Sequence, residues 1–278
     1  MAFDLDLYLE RIRLPERPLP DVSGLLALQR AHRLAIPFEN LDVILGRGIR
    51  IDSDSVFAKL VTARRGGYCF EQNRLFQDAL QAIGFETRPL LGRVWLGAEH
   101  VPPRTHSLSL VTIDGVEWIA DTGFGGSYAP PMPLADGEEV DAPDGARFRL
   151  SRDPVYGWML ERDGHAAAGD ARFADPALFR GAQYSFTLDP VFPADLELSN
   201  LWTSTAPNTR FTTLRIVSGV LPNGFASLTD RSYQRHNGAS EASGEIDDPR
   251  VYRMRLSLLF GIDFSVEEVA ALGLFGDR

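Results

Sequence analysis

The chain has a single cysteine among 278 residues. That count excludes an internal disulfide and any metal site built from several thiolates, and it fits a reducing compartment. No apolar run approaches the length a bilayer span needs, so a membrane partner is not expected. The opening MAFDLDLYLE places acidic residues where a secretion signal carries basic ones, which points to a cytoplasmic protein. Positive charge is also short: 28 Lys and Arg stand against 38 Asp and Glu, a formal net charge of −10. With no basic cluster to reverse that sign locally, the chain is a poor match for a nucleic-acid backbone. What remains is ordinary soluble material, 44% hydrophobic and 24% charged. It can build one large core or a few small ones.

The hydrophobic period divides the chain into three zones. Over residues 1–85 it is helical. Leu5, Tyr8, Leu9 and Ile12 fall on one face behind Asp4 as N-cap, and Asp21 opens a second helix carrying Leu25, Leu28 and Leu34 that stops before Ile36-Pro37. A third helix is expected over SVFAKLVTA, and a fourth from about Cys69 through Leu75, Phe76, Ala79, Leu80 and Ile83 to Gly84. Over 86–200 the period changes to two, with Asp114-Gly115 a two-residue hairpin signal between LSLVTI and VEWIAD. The segment 134–175 has turn signals at Pro143-Asp144-Gly145 and Asp163-Gly164, which suits short strands in a closed or half-closed sheet. Over 201–278, strands are expected near 211–217 and 251–258 with a turn at Pro222-Asn223-Gly224. A last helix is capped by Ser265 and Glu268 and followed by Gly273. No internal repeat is present. The expectation is an α+β chain.

The hairpin can be counted. If Asp114 and Gly115 form its loop, partners have numbers summing to 229, and His106 and Asp121 become diagonal neighbours on one face. Their Cβ atoms then stand about 7 Å apart, the span of an imidazole, a carboxymethyl group and one hydrogen bond. Asp121 is expected to hold the ring with Nδ1–H toward the carboxylate and Nε2 free for a third group.

Cys69, in RRGGYCFEQN, supplies that group. A lone cysteine is more often a small buried hydrophobe than a nucleophile. The start of a helix, however, favours thiolate through the macrodipole and the free N–H groups of the first turn, and an imidazolium favours it further. Gly66-Gly67 are expected to supply backbone angles closed to other residues. For Arg64 and Arg65 an ion pair with an acid such as Glu39 is the expected role. The glycine-rich Thr122-Gly123-Phe124-Gly125-Gly126 stretch has N–H groups able to hold an anion, although three glycines in five residues more often mark only a turn.

Taken together, RGGYCFEQN, PPRTHSL and DTGFGG, with IPFENLDV upstream and STAPNTRF downstream, resemble the arylamine N-acetyltransferases. The resemblance covers most of the chain in order and spacing. It implies a helical bundle (1–85), a β-barrel (86–200) and an α/β lid (201–278), with a cysteine-protease-like site. It implies Cys69, His106 and Asp121 as catalytic triad, acetyl-CoA as co-substrate, no metal, and a small aromatic amine or hydrazine as acceptor. By the same resemblance Thr105 and Gly123 to Gly126 border the coenzyme entry, and Phe38, Phe124 and Trp202 line the acceptor pocket, with Trp95 a further border candidate. Three other readings share parts of the pattern: an amide synthase using a carrier-bound thioester, a cysteine hydrolase or transglutaminase, and a non-catalytic binding protein. The family pattern often has an aliphatic residue where this chain has Thr122, and 134–175 matches no motif.

Overall fold

The computed structural model describes residues 3–126, 128–163 and 180–276. Most of the sequence-based helices form where their caps are. Helix α1 (Leu5–Arg11) starts at Asp4, which accepts the Leu7 N–H at 3.0 Å. Helix α2 (Val22–Ala35) starts at Asp21, which accepts the Gly24 N–H at 2.8 Å. Strand β1 (Phe38–Glu39), helix α3 (Leu41–Ile44) and helix α4 (Ser53–Phe57) follow. The latter passes into a π-helical turn at Ala58–Thr62, and α5 (Cys69–Ile83) ends at left-handed Gly84.

The next eight strands are β2 (Glu86–Val94), β3 (Arg104–Ile113), β4 (Val116–Ala120), β5 (Met132–Pro133), β6 (Glu139–Asp141), β7 (Arg147–Asp153), β8 (Gly157–Asp163) and β9 (Arg180–Phe186). They form one antiparallel sheet in the order β5-β4-β3-β2-β9-β8-β7-β6. Its two edge strands are consecutive in the chain, joined only by residues 134–138. The sheet therefore has to curl until its edges nearly meet, giving an almost closed eight-stranded barrel. Leu90, Leu108, Leu110, Phe148, Leu160 and Phe186 fill its interior. The Pro143-Asp144-Gly145 turn lies between β6 and β7 as expected, with Gly145 at φ 84°. The Asp163-Gly164 turn and the rest of 164–175 fall outside the described residues.

The chain closes with α6 (Pro193–Thr205), α7 (Arg210–Thr213), β10 (Ile216–Leu221), β11 (Gly224–Thr229), β12 (Ser232–Asn237), β13 (Ser240–Glu245), α8 (Pro249–Phe260) and α9 (Val266–Ala271). Strand β1 joins this last sheet beside β10, so the N-terminal region is not purely helical. Ser265 and Glu268 cap α9 reciprocally, at 3.2 and 2.8 Å. Among the described residues no helix is long and apolar enough to cross a membrane.

Three expectations fail here for physical reasons. The residues before 200 were expected to be β structure, but 193–205 is helix, and the 200/201 boundary falls inside it. Its buried face is polar (Asn200, Thr203) while Leu198 and Leu201 are exposed, so the hydrophobic pattern carries no helical signal. The strand expected at 211–217 begins at 216. Residues 210–213 form a helical turn in which Thr212 Oγ1 accepts the Thr209 N–H at 3.1 Å. The strand expected at 251–258 is helix α8, opened by Asp248 and Pro249. Met254, Leu256 and Leu258 alternate like a strand, yet the buried set is Tyr252, Leu256 and Phe260, spaced by four. A helical α8 predicts that Leu256→Ala, at 0% exposure, lowers unfolding free energy by about 2–5 kcal/mol, while Leu258→Ala, at 75%, changes it by about 0.5 kcal/mol or less. Urea unfolding of the two variants measures this; equal losses would contradict it.

Candidate active site

Cys69 is the first residue of α5, buried in a small cluster with Phe38, Tyr68, Phe70, Leu91 and Ile216. That cluster draws on the N-terminal region, the barrel and the last sheet at once. Glu71 closes the helix start by accepting the Tyr68 N–H on Oε2 at 3.1 Å. The glycines before it serve a purpose other than the expected one. Neither Gly66 nor Gly67 has a positive φ. A Cβ on Gly66 would stand 2.4 Å from the Pro37 carbonyl oxygen, and one on Gly67 would stand 2.8 Å from the Glu71 carboxylate. They are required by close packing of the loop. Arg65 meets Glu39 at 2.6 Å, as expected, and Asp42 at 3.2 Å, while Lys59 spans Asp42 and Glu71 at 2.8 Å each.

The hairpin adopts the counted register. Asp114 and Gly115 have φ 50° and 78°, and Ile113 pairs with Val116 through to Ser109 with Ala120. His106 Nε2 then lies 2.7 Å from Asp121 Oδ2, both groups buried. The expected ring assignment is thereby reversed. Asp121 takes Nε2, which leaves Nδ1 for Cys69; the thiol itself donates to the Thr105 carbonyl at 3.7 Å, and its proximity helps raise the His106 pKa. Burial alone would lower the imidazole pKa, but the Asp121 charge and hydrogen bond, joined by Cys69, raise it to about 10. Burial would raise the Asp121 carboxyl, yet His106, Asn73 and the Gly123 N–H hold it below the ordinary value. The shift favours the charged imidazolium form of His106.

Three residues that complete this site have no role expected from the sequence: Asn73 ends the RGGYCFEQN stretch, while Gln29 and Arg33 lie in no motif. Asn73, four residues after Cys69 and so on the same helix face, donates to Asp121 Oδ1 at 3.0 Å, and its Oδ1 accepts the Thr122 N–H at 3.0 Å. The i+4 spacing could have singled it out. Gln29 accepts the Asp121 N–H at 2.8 Å. Arg33, also buried, donates to the carbonyls of Thr122 (3.1 Å), Phe124 (3.3 Å) and Gly126 (3.1 Å), pinning the glycine-rich stretch. Gly123 packs onto the nucleophile's own backbone: a Cβ there would lie 2.6 Å from Cys69 Cα. Gln29 and Arg33 come from α2, about ninety residues away in sequence, where nothing local marks them.

A cavity of about 250 Å³ opens beside Cys69. Phe38, Thr105, His106, Gly123, Phe124, Gly125, Gly126 and Trp202 all line it, together with Phe211 and Ile216. Asp121 stands behind His106 and does not. Phe124 and Tyr184 pack on the imidazole with ring centroids 5.1 and 4.9 Å away, keeping water from the pair. Trp95 does not reach this cavity. Its indole donates to Ser185 Oγ at 2.8 Å and packs on Tyr156, while its neighbours Val94 and Leu96 form part of the wall. Among the described residues no group of His, Cys, Asp or Glu is placed to hold a metal ion. A thiol at an apolar cavity, with an imidazolium held by a carboxylate, is suited to nucleophilic acyl transfer.

Comparison with known proteins bears on which acyl transfer this is. A family profile described as N-acetyltransferase matches residues 21–269. The arylamine N-acetyltransferase / N-hydroxyarylamine O-acetyltransferase of Salmonella typhimurium is 37% identical over 267 residues, covering 94% of this chain and 90% of that protein. A solved arylamine N-acetyltransferase structure from the same organism superposes with a TM-score of 0.87 at 34% identity, covering 96% and 97% of the two chains. Mycobacterium marinum arylamine N-acetyltransferase, solved in complex with CoA, superposes with a TM-score of 0.85 at 28% identity over 97% and 98%. The chain belongs to the arylamine N-acetyltransferase family, a family of acyltransferases.

The raised His106 pKa sets a pH dependence. A group whose folded pKa exceeds its unfolded value stabilises the fold fully below the unfolded pKa, and that contribution is lost as pH rises through the folded one. The window here runs from 6.5 to about 10. The stability advantage of the wild type over His106→Gln is therefore expected to shrink as pH climbs across that window, measured by urea unfolding at several pH values. A constant difference would contradict the assignment.

Proposed function

We propose that the protein moves an acetyl group from acetyl-CoA, through a thioester on Cys69, to the nitrogen of an aromatic amine or hydrazine. Cys69 attacks the acetyl carbonyl as thiolate, and its new C–S bond replaces the bond to the coenzyme sulfur. His106 gives up its proton to the departing coenzyme thiolate, so the intermediate consists of acetyl-Cys69 and neutral imidazole. The two thioesters are close in energy, which makes this half reversible. In the second half the acceptor nitrogen attacks the acetyl-Cys69 carbonyl, His106 takes the amine proton, and Cys69 leaves as thiolate beside a restored imidazolium. Protons and electron pairs balance over the cycle, and the kinetics are ping-pong. Asp121 keeps the ring in one orientation and stabilises its charged form.

The remaining roles follow the cavity. Thr105 and the Gly123 to Gly126 stretch border the side by which the coenzyme enters, and Phe38, Phe124 and Trp202 offer an apolar, aromatic wall to a flat ring. The CoA bound by the Mycobacterium marinum relative supports the choice of donor. The helical residues up to 85 carry the nucleophile, the barrel carries His106 and Asp121, and the sheet of β10–β13 with its helices acts as lid over the cavity.

The observation that carries this reading is that Cys69 and His106 both line one apolar cavity, with His106 held from behind by Asp121 at 2.7 Å. Mixing the protein with acetyl-CoA alone should release free CoA in a burst equal to the enzyme present and leave an acetyl group on the Cys69 peptide by mass spectrometry. Cys69→Ala should lose the adduct and the turnover of arylamines. Turnover by the alanine variant, or coenzyme release only when an amine is present, would overturn the covalent route.

A further inference from the structure

A second cavity, of about 650 Å³, lies between the ends of α1 and α2, the β10–β11 turn and the C-terminal end of α8. Four arginines line it, Arg11, Arg13, Arg33 and Arg64, and no aspartate or glutamate does, in a chain of net charge −10. Among the described residues none of the four forms an ion pair with a carboxylate. The buried Arg11 donates only to the carbonyls of Leu60, Ala35, Arg64 and Arg65, and the buried Arg33 only to those of the glycine-rich stretch. Carbonyl dipoles satisfy the N–H groups; the Asp121 charge acts on Arg33, while the charges acting on Arg11 are those of Arg64 and Arg13. The crowding is strong enough that burial, then Arg64, then Arg13 bring Arg11 down to about 10.

The backbone explains why Arg13 and Arg64 meet at this place. Arg13 and Arg64 are both left-handed, at φ 57° and 53°. The other positive-φ residues that are not glycine are Asp114, Asn208 and Asp230, side-chain types that tolerate this region. Arg13 and Arg64 each close a helix end, where the following N–H reaches back to an earlier carbonyl (Leu14 to Leu9 and Arg65 to Lys59, both 3.0 Å), and this left-handed cap sets both exposed arginines at the rim of one groove. The remaining wall is apolar: Leu34 and Leu258 are exposed at 40% and 75%, with Leu259 beside them.

We propose that this groove binds a small amphiphilic carboxylate, an alkyl or aryl acid whose anionic end meets Arg13 and Arg64 and whose apolar part covers Leu34, Leu258 and Leu259. Arginine forks match a carboxylate, and the cavity is large enough for a single molecule with a tail. The site is separate from the Cys69 cavity, and Arg33 is the side chain the groove shares with the loop after Asp121.

Hydrogen exchange in the presence of laurate tests this, because it reads the groove whatever happens at the cysteine. Laurate should slow exchange saturably in peptides covering 219–222 and 257–261. Arg13→Glu/Arg64→Glu, two surface changes outside the acyl-transfer machinery, should weaken that protection roughly tenfold or more in laurate concentration. Three outcomes would each overturn the proposal: no slowing in either peptide, equal slowing with neutral dodecyl maltoside, or equal slowing in the doubly reversed variant. Slowing by inorganic phosphate alone would instead reduce the groove to a simple anion site, and slowing only by anionic vesicles would make it a membrane contact; both also count against it.

Discussion

Burying a carboxylate against an imidazolium is costly unless every lone pair and proton finds a partner, and the structure around Asp121 is arranged to meet that condition. Its Oδ2 faces His106 Nε2, its Oδ1 accepts from Asn73 and from the Gly123 N–H, and its own N–H is taken by Gln29. These partners come from α2, α5 and the barrel hairpin. The pair can stay charged only while the three elements stay docked, so the chemistry and the packing are one constraint.

A second set of buried charges fixes the helix that carries the thiol. Lys59 and Arg65 sit among Glu39, Asp42 and Glu71, and Arg65 also stacks on Phe264 at 4.7 Å. This ties the loop before Cys69 to β1, to α3 and to the end of the chain. The two arginines of RRGGYCFEQN thus part ways: Arg65 belongs to the ionic network, while Arg64 turns out to the arginine-lined groove and gives its carbonyl to Arg11. Gly66 and Gly67 let this loop lie against Pro37 and Glu71 with no room for a side chain.

The sequence was most readable where a local rule fixed geometry. An Asp-Gly turn sets hairpin register, so the meeting of His106 and Asp121 followed from counting, and the caps at Asp4, Asp21 and Ser265 marked helix starts to the residue. It was least readable where the answer lay across the chain. Which imidazole nitrogen meets the carboxylate depends on how α5 docks beside the hairpin, and no local pattern encodes that. Arg33 and Gln29 act through single long-range contacts on carbonyls and an N–H. Helix α8 reads as a strand in the sequence because Met254, Leu256 and Leu258 alternate on a helix whose outer face is itself partly apolar.

The central claim is that Asp121 holds His106 as an imidazolium, with Nε2–H toward the carboxylate and Nδ1–H toward the sulfur of Cys69. Nitrogen NMR of protein labelled at histidine, with Asp121→Asn for assignment, measures this directly. Both ring nitrogens of His106 should carry protons at pH 7 and keep them until pH approaches about 10. A ring with one bare nitrogen at pH 7 would contradict the account.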